Sequence, residues 1–132
     1  MELKEYFNSV KGTGILATAD GHGKVDAAVY SRPHFMDDGS LAFIMADRLT
    51  HHQLQSNPHA VYVVTEEGPG YKGWRIFLKK ITEEQDTDRL YELRRRRHPA
   101  KGEGGAPRFL VFFQVEKVLP LIGAEREEDT LY

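Results

Sequence analysis

The amino-acid sequence predicts a mainly β fold, an antiparallel barrel with a few short helices, in a single domain spanning residues 1–132. Roughly six apolar segments of strand length are separated by short turns rich in Gly, Asp and Pro. Helical patterns occur at only three junctions, too few for the regular alternation of strand and helix that a parallel sheet needs. The hydrophobic content of 40% is enough for one core.

The N-terminal residues predict a short amphipathic helix. Leu3, Phe7 and Val10 recur at helical spacing, so this helix is expected to cover the barrel as a lid. Gly12 is placed to end the helix in the left-handed conformation that glycine adopts without strain.

Two strands are predicted next, at residues 14–20 and 24–31, joined by a Gly-rich turn at 20–23. Their close spacing predicts a hairpin. Pro33 is expected to end the second strand, because proline cannot donate to a strand ladder. A turn at 37–39 leads to the following strand, so the early elements are expected to form a meander.

The segment 41–64 predicts a strand, a short helix and a second strand. Residues 41–45 and 60–64 are apolar and rich in strand-forming types, whereas 47–57 is polar. The helix is expected to start near Asp47 or Thr50, and Pro58 forces it to end by Asn57.

The C-terminal half predicts two more strands with a helix between them. After a turn-rich loop, residues 74–81 read as a strand, and Thr82-Glu83-Glu84-Gln85 fits a capping box that opens a helix. Leu90, Leu93 and Arg97 would share one face of that helix, which is expected to end at 98–99. A flexible connection is predicted at 101–107, the strongest strand at 108–118, and a frayed acidic tail after it.

The start of the central helix is the first candidate site. Free backbone N–H groups at a helix N-terminus favour an anion, and here Arg48 and a hydroxyl, Thr50, stand beside them. Arg48 can fork onto a phosphate. From spacing alone, an ordinary capped helix with a solvated arginine explains the same residues.

The composition argues against several classes of partner and site. A net charge of −2 argues against a general nucleic-acid partner. With zero cysteines there is no thiolate metal site and no disulfide, and adjacent His51 and His52 point in different directions on a helix, so no metal is predicted. No apolar run approaches the roughly 18 residues of a membrane span, and the N-terminus lacks a leader pattern; a cytoplasmic protein with no membrane partner is expected.

The run FIMADRLTHHQLQSNPHAV, residues 43–61, resembles the pyridoxamine 5'-phosphate oxidase-like FMN-binding split-barrel family. In that family a strand ends in a polar turn, continues as a short helix and closes with Asn-Pro. The resemblance implies a split β-barrel that dimerises, with two FMN molecules in the grooves between subunits. The turn and helix start that hold the flavin phosphate correspond here to Met45, Ala46, Asp47, Arg48, Leu49, Thr50 and His51.

The resemblance implies two further groups of FMN contacts. The second strand of the hairpin lines the flavin ring and offers a basic residue to the phosphate, which corresponds to Val29, Tyr30, Ser31 and Arg32. The strand after the turn-rich loop completes the site, often from the partner subunit, and corresponds to Tyr71, Lys72, Gly73 and Trp74. Arg32 as a solvated strand end and Trp74 as a core or interface anchor are the alternatives.

The implied function is an FMN-dependent oxidoreductase that passes hydride or electrons between a reduced nucleotide and a small acceptor. The phosphate-turn pattern and the C-terminal Arg-Leu-x-Pro motif of the true oxidases are missing, which argues against pyridoxamine phosphate as substrate. The run at 94–97 is either a solvated helix end or a landing place for a phosphorylated cosubstrate. A flavin carrier without turnover remains open, as does a barrel that binds F420, or haem through a histidine such as His51.

Overall fold

The computed structural model describes residues 2–94 and 106–123 of the chain. Within them are three helices and seven strands. In chain order these are α1 (Leu3–Ser9), β1 (Gly12–Ala19), β2 (Val25–Val29), β3 (His34–Phe35), β4 (Leu41–Ala46), α2 (Leu49–Ser56), β5 (His59–Glu66), β6 (Gly73–Gln85), α3 (Asp88–Leu93) and β7 (Arg108–Pro120). The connection at 101–105 and the acidic tail lie outside the described residues.

The seven strands form one antiparallel sheet in the order β2-β1-β5-β6-β7-β4-β3. The predicted β1–β2 hairpin is confirmed. The predicted meander is wrong, because β4 pairs with β7 at the far side of the sheet instead of continuing from β2. The fold is mainly antiparallel β with a few short helices, as predicted, and it curls around one core.

The core lies inside the curled sheet. Leu16, Phe43, Tyr62, Ile76 and Phe113 are at most 2% exposed and meet there from five different strands. Helix α1 adds Leu3 and Phe7 to the same cluster, so it covers the barrel as expected. Residues of this kind alternate along each strand with residues that face outward.

The outward-facing positions form two apolar faces. On β4 and β7, Ala42, Leu110 and Phe112 are buried beneath Leu90 of α3. On the other side, the four neighbouring strands β2, β1, β5 and β6 carry apolar outward positions that no described helix covers. This uncovered face consists of Ile15, Ala17, Val25, Ala27, Val29, Val61, Val63 and Phe77.

Two predicted helix boundaries are wrong for the same reason, namely that strand pairing outweighs local signals. Gly12 does not end α1; it opens β1, where an added Cβ would lie 2.0 Å from the Thr65 carbonyl oxygen. Thr82–Gln85 does not open a helix, because β6 continues through it in register with β7. The helix begins after Thr87, whose hydroxyl accepts the Leu90 N–H. No helix in the described part of the chain is long and apolar enough to cross a membrane.

Candidate functional site

A cavity of about 240 Å³ opens where the end of β2, at one edge of the sheet, passes β4, near the opposite edge. We call this place the seam. No ladder joins β2 to β4 among the described strands, and the rings of Tyr30 and Phe43 meet there edge-on at 6.0 Å. The cavity is lined by Val29, Tyr30, Ser31, Arg32, His34, Phe43, Ile44, Ala46, Arg94 and Arg108.

Tyr30 fixes the backbone at one wall of the seam. Its N–H donates to the Gly14 carbonyl at 3.0 Å, and its own carbonyl accepts the Tyr62 hydroxyl at 3.0 Å. Gly14 is needed for this arrangement, because an added Cβ would lie 1.8 Å from the Tyr62 oxygen. The chain therefore leaves β2 in a set direction, and residues 31–32 run along the cavity.

The Tyr30 side chain connects this wall to the start of α2. Burial raises the pKa of its hydroxyl above the ordinary value, and a hydrogen bond with Thr50 partly offsets that effect. Thr50 also donates to Asp26 of β2 at 3.3 Å. The first turn of α2 is thus held beside the end of β2 by hydroxyl and carboxylate groups.

Arg48 is the N-cap of α2 and lies exposed at its start. No side chain caps the helix there, and the N–H groups of the first turn have no carbonyl within the helix to bind. Arg48 and these N–H groups together form a cationic, hydrogen-bond-donating surface beside the seam, next to the residues that line the cavity. Such a combination binds phosphate.

The rest of α2 is locked in place by buried polar contacts. Gln53 accepts the Thr18 hydroxyl at 2.7 Å and donates to the Lys24 carbonyl at 3.2 Å. The His51 ring stacks on Phe109 at 3.6 Å, and its Nε2 lies 2.9 Å from the Glu83 carboxylate. Burial raises the pKa of Glu83, but hydrogen bonds from Lys80, His51 and Gln55 outweigh it and lower this pKa to about 2. The helix is therefore a rigid support for its exposed first turn.

The structure brings together part of the predicted phosphate and ring contacts. Val29–Arg32 and Ala46 line the seam, and the start of α2 adjoins it through Tyr30. Asp47, Arg48 and Leu49 are exposed at the helix start.

Met45 and His51 face elsewhere. Met45 points into the core with 0% exposure, so only its backbone is available to a ligand. His51 is stacked and bonded as described, and its side chain does not suit the haem-ligand role considered from the sequence.

The third predicted group, Tyr71–Trp74, does not line the seam of its own chain. Trp74 is half-buried and meets Tyr6 of α1 edge-on at 6.4 Å. Lys72 and Tyr71 are exposed, and Tyr71 has 80% of its surface accessible. A contribution of these residues from a partner subunit stays a prediction.

Two further arginines line the seam: Arg94, which the sequence offered only as part of the run at 94–97, and Arg108, which the sequence did not predict. Asp86 accepts both the Tyr91 hydroxyl at 2.7 Å and the Arg108 N–H at 3.1 Å, which ties α3 to the start of β7. Arg94, next after α3, and Arg108, opposite Ala46 on β4, thereby reach the cavity. The run at 94–97 was a signal for Arg94; residues 95–97 lie outside the described part of the chain. Arg108 could be found only through the long-range pairing of β4 with β7.

The fold is shared with solved structures of flavin-related proteins. An FMN-binding protein from Syntrophomonas wolfei superposes with a TM-score of 0.67 at 21% identity, covering 91% of this chain and 83% of its own. A pyridoxamine 5'-phosphate oxidase-related, FMN-binding protein from Nostoc punctiforme gives 0.60 at 16% identity, with 89% and 82% covered. An F420 reductase gives 0.62 at 16% identity, with 86% and 94% covered.

No protein-family model and no curated protein matches the sequence. The sequence identities are low, so the structural similarity establishes the fold alone. This is the split-barrel fold that the resemblance implied.

Proposed function

We propose that the seam binds FMN and that the chain is an FMN-dependent oxidoreductase. The proposal rests on the position of Val29–Arg32, which line the cavity beside the donor-rich start of α2. The fold is shared with FMN-binding proteins. A flavin mononucleotide has a phosphate at one end and a planar ring at the other. The start of α2 and the adjoining seam match these two parts.

The start of α2 would hold the phosphate. Arg48 supplies a guanidinium and the first-turn N–H groups point outward, among them that of Thr50, whose buried hydroxyl donates to Asp26 and holds the helix start in place. The ring would lie along Val29–Ser31, with Phe43 and Ile44 as an apolar wall. When bound, FMN supplies the two-electron chemistry. The residues of the chain then need only orient the ring and exclude water from one side of it.

Arg32, Arg94 and Arg108 favour a reduced nucleotide as the electron donor. The lining of the seam contains these three guanidinium groups and no carboxylate among the described residues. One phosphate of FMN at the α2 start leaves this second cationic region for another anionic group. A phosphorylated cosubstrate, such as a reduced nicotinamide nucleotide, has that chemistry.

The uncovered face supports a homodimer. Its apolar positions run across four neighbouring strands, and Val25 and Val29 are 81% and 74% exposed. Soluble monomers rarely leave so continuous an apolar surface in water. A second copy packed on this face would bury Val29 beside the seam, and we infer that the partner's Tyr71–Trp74 segment completes the flavin site.

F420 is the second candidate cofactor, because one structure with this fold is an F420 reductase. Its deazaflavin ring would occupy the same seam. A carrier that binds flavin without turnover is the remaining alternative. A cytoplasmic location stays a prediction from the sequence.

One experiment separates these functions. The purified protein is analysed by visible spectroscopy, and any released cofactor is identified by mass. The FMN-loaded protein is then mixed with NADH or NADPH under anaerobic conditions. We expect FMN release and bleaching of the visible absorption band of the oxidised flavin. Release of F420 would replace FMN by the second candidate, and bound FMN that no reduced nucleotide bleaches would favour the carrier.

A further inference from the structure

One aspartate beside the seam holds a backbone conformation that side chains rarely adopt. Asp86 follows β6 with a φ of 51°, and it is the one residue other than glycine with positive φ in the described part of the chain. This left-handed conformation is strained for most residues, although Asp and Asn tolerate it better than others. A residue keeps it only where its surroundings stabilise it, so the contacts of Asp86 indicate what the conformation achieves.

The contacts of Asp86 join two different elements. Its N–H donates to the Arg108 carbonyl at 2.9 Å, and its carboxylate accepts the Arg108 N–H at 3.1 Å. These two bonds fix the backbone of the first residue of β7. The same carboxylate oxygen accepts the Tyr91 hydroxyl of α3 at 2.7 Å. The turn at Asp86 therefore holds α3 and β7 together through a single oxygen.

Both of these elements bring an arginine to the seam. The Arg108 side chain extends from the backbone that Asp86 fixes, and its Nη1 donates to the Pro107 carbonyl at 3.2 Å. The Arg94 guanidinium lies over the Tyr91 ring, 5.4 Å from its centre. Because the hydroxyl of that ring is bound by Asp86, the platform under Arg94 is fixed as well. Asp86 thus acts on both guanidinium groups without lining the cavity itself.

We propose that Asp86 is a positioning residue, which holds Arg94 and Arg108 as a preformed pair for the anionic group of the reduced nucleotide. The inference rests on the proposed function, because that function supplies the nucleotide. Arginine side chains lose rotamer freedom when they bind a ligand, and anchoring them beforehand lowers that cost. Asp86 is itself an anion and repels a phosphate, so it favours binding only because positioning outweighs charge.

The test separates the contacts of Asp86 from its charge and its backbone conformation. Asp86→Asn removes the charge but keeps an acceptor oxygen and the tolerance for positive φ, whereas Asp86→Gly adopts this φ without strain and has no acceptor. Tyr91→Phe keeps the ring under Arg94 and removes the hydroxyl. Glu92→Gln, at an exposed position of α3, is the control for removal of a carboxylate. NADPH is titrated calorimetrically into each full-length variant, with and without FMN.

Asp86→Gly should weaken NADPH binding about threefold to tenfold, the cost of ordering one rotamer-rich side chain. Asp86→Asn and Glu92→Gln should bind NADPH at least as tightly as wild type. Tyr91→Phe should show a smaller loss than Asp86→Gly, because it releases the platform of Arg94 alone. The dissociation constant of FMN should be the same in all variants, which a general loss of folding would not allow.

An Asp86→Gly variant that binds NADPH as tightly as wild type, or more tightly as removal of the charge alone predicts, would overturn the positioning role. Equal losses in Asp86→Asn and Asp86→Gly would overturn it too, as would wild-type NADPH affinity in both Arg94→Ala and Arg108→Ala. Wild-type protein that binds FMN but not NADPH would refute the nucleotide assignment and this inference together. NADPH affinities in the expected order, in a protein that does not bind FMN, would support the inference and refute only the flavin site.

Discussion

The barrel has two apolar outer faces that differ in what covers them. On β4 and β7, Ala42, Leu110 and Phe112 are packed under Leu90 of α3, which is 0% exposed. On the uncovered face, Val25 of β2 is 81% exposed. Both faces have outward apolar side chains, but among the described residues only the first is covered by the chain itself. We propose that a second copy of the chain covers the other. The seam lies where the two meet, since β2 belongs to the uncovered face and β4 to the covered one.

The largest effect is expected on the covered face. Leu90→Ala should lower the free energy of unfolding by about 2–5 kcal/mol, because it empties a fully buried position between α3 and the sheet. Urea unfolding followed by circular dichroism measures this. Glu92→Ala, at an exposed position of the same helix, is the control. A loss below about 0.5 kcal/mol, typical of surface changes, would show that α3 does not cover this face in solution.

A substitution on the uncovered face should change the dimer dissociation constant and not the stability of the monomer. Ala27→Arg places a charge at an exposed outward position of β2. It should weaken the dimer about 100-fold, or roughly 2.8 kcal/mol, with little change in monomer stability. Analytical ultracentrifugation over a concentration series measures the dissociation constant. His22→Arg adds the same charge in the hairpin turn outside the face. A dimer equally stable in both variants would mean that this face is not the interface.

The seam can be perturbed without touching either face. Arg48→Ala should weaken FMN binding by roughly 1.5–3 kcal/mol, the range for a lost charge-assisted hydrogen bond. Arg48→Lys keeps the charge but loses the fork, so an intermediate affinity is expected. Flavin fluorescence titration gives the dissociation constants, and Lys4→Ala serves as an exposed control. Wild-type affinity in Arg48→Ala would remove Arg48 from the phosphate site.

The smallest expected effect is a pH dependence of the unfolding free energy that arises from Glu83, which contacts His51 of α2. The pKa of Glu83 is lowered from 4.5 to about 2 in the folded chain. A depressed carboxyl pKa stabilises the fold above the unfolded value and loses that contribution as pH falls from 4.5 toward 2. Unfolding free energies of wild type should therefore decline across this window more steeply than those of Glu83→Gln. Glu92→Gln should follow wild type. Parallel curves for wild type and Glu83→Gln would contradict the His51–Glu83–Lys80 contacts.

The sequence alone predicted the elements with strong local signals. The hairpin at β1–β2, the strand-helix-strand segment around α2 and the long β7 are confirmed, because alternation, turn residues and Pro58 act within a few residues. The capping-box pattern at Thr82 was misleading, since pairing of β6 with β7 decides that segment. The short strand β3 was missed, because two residues beside Pro33 carry no periodicity.

The sequence predicted those candidate site residues that lie next to recognisable strand ends. Val29–Arg32 and the start of α2 are adjacent in sequence to recognisable strand ends, and they do adjoin in the structure. Arg108 was not predictable, because its place depends on pairing with Ala46, 62 residues earlier in the chain. Nor was the inward direction of Met45, which a shift of one residue in register would reverse.

Binding of FMN at the seam is tested by titrating the cofactor-free protein with FMN. Trp74 is the only tryptophan in the chain, so its fluorescence reports on the segment assigned to the partner's side of the site. We expect saturable binding of one FMN per chain, with quenching of both flavin and Trp74 fluorescence. If FMN shows no saturable binding, the seam is not a flavin site.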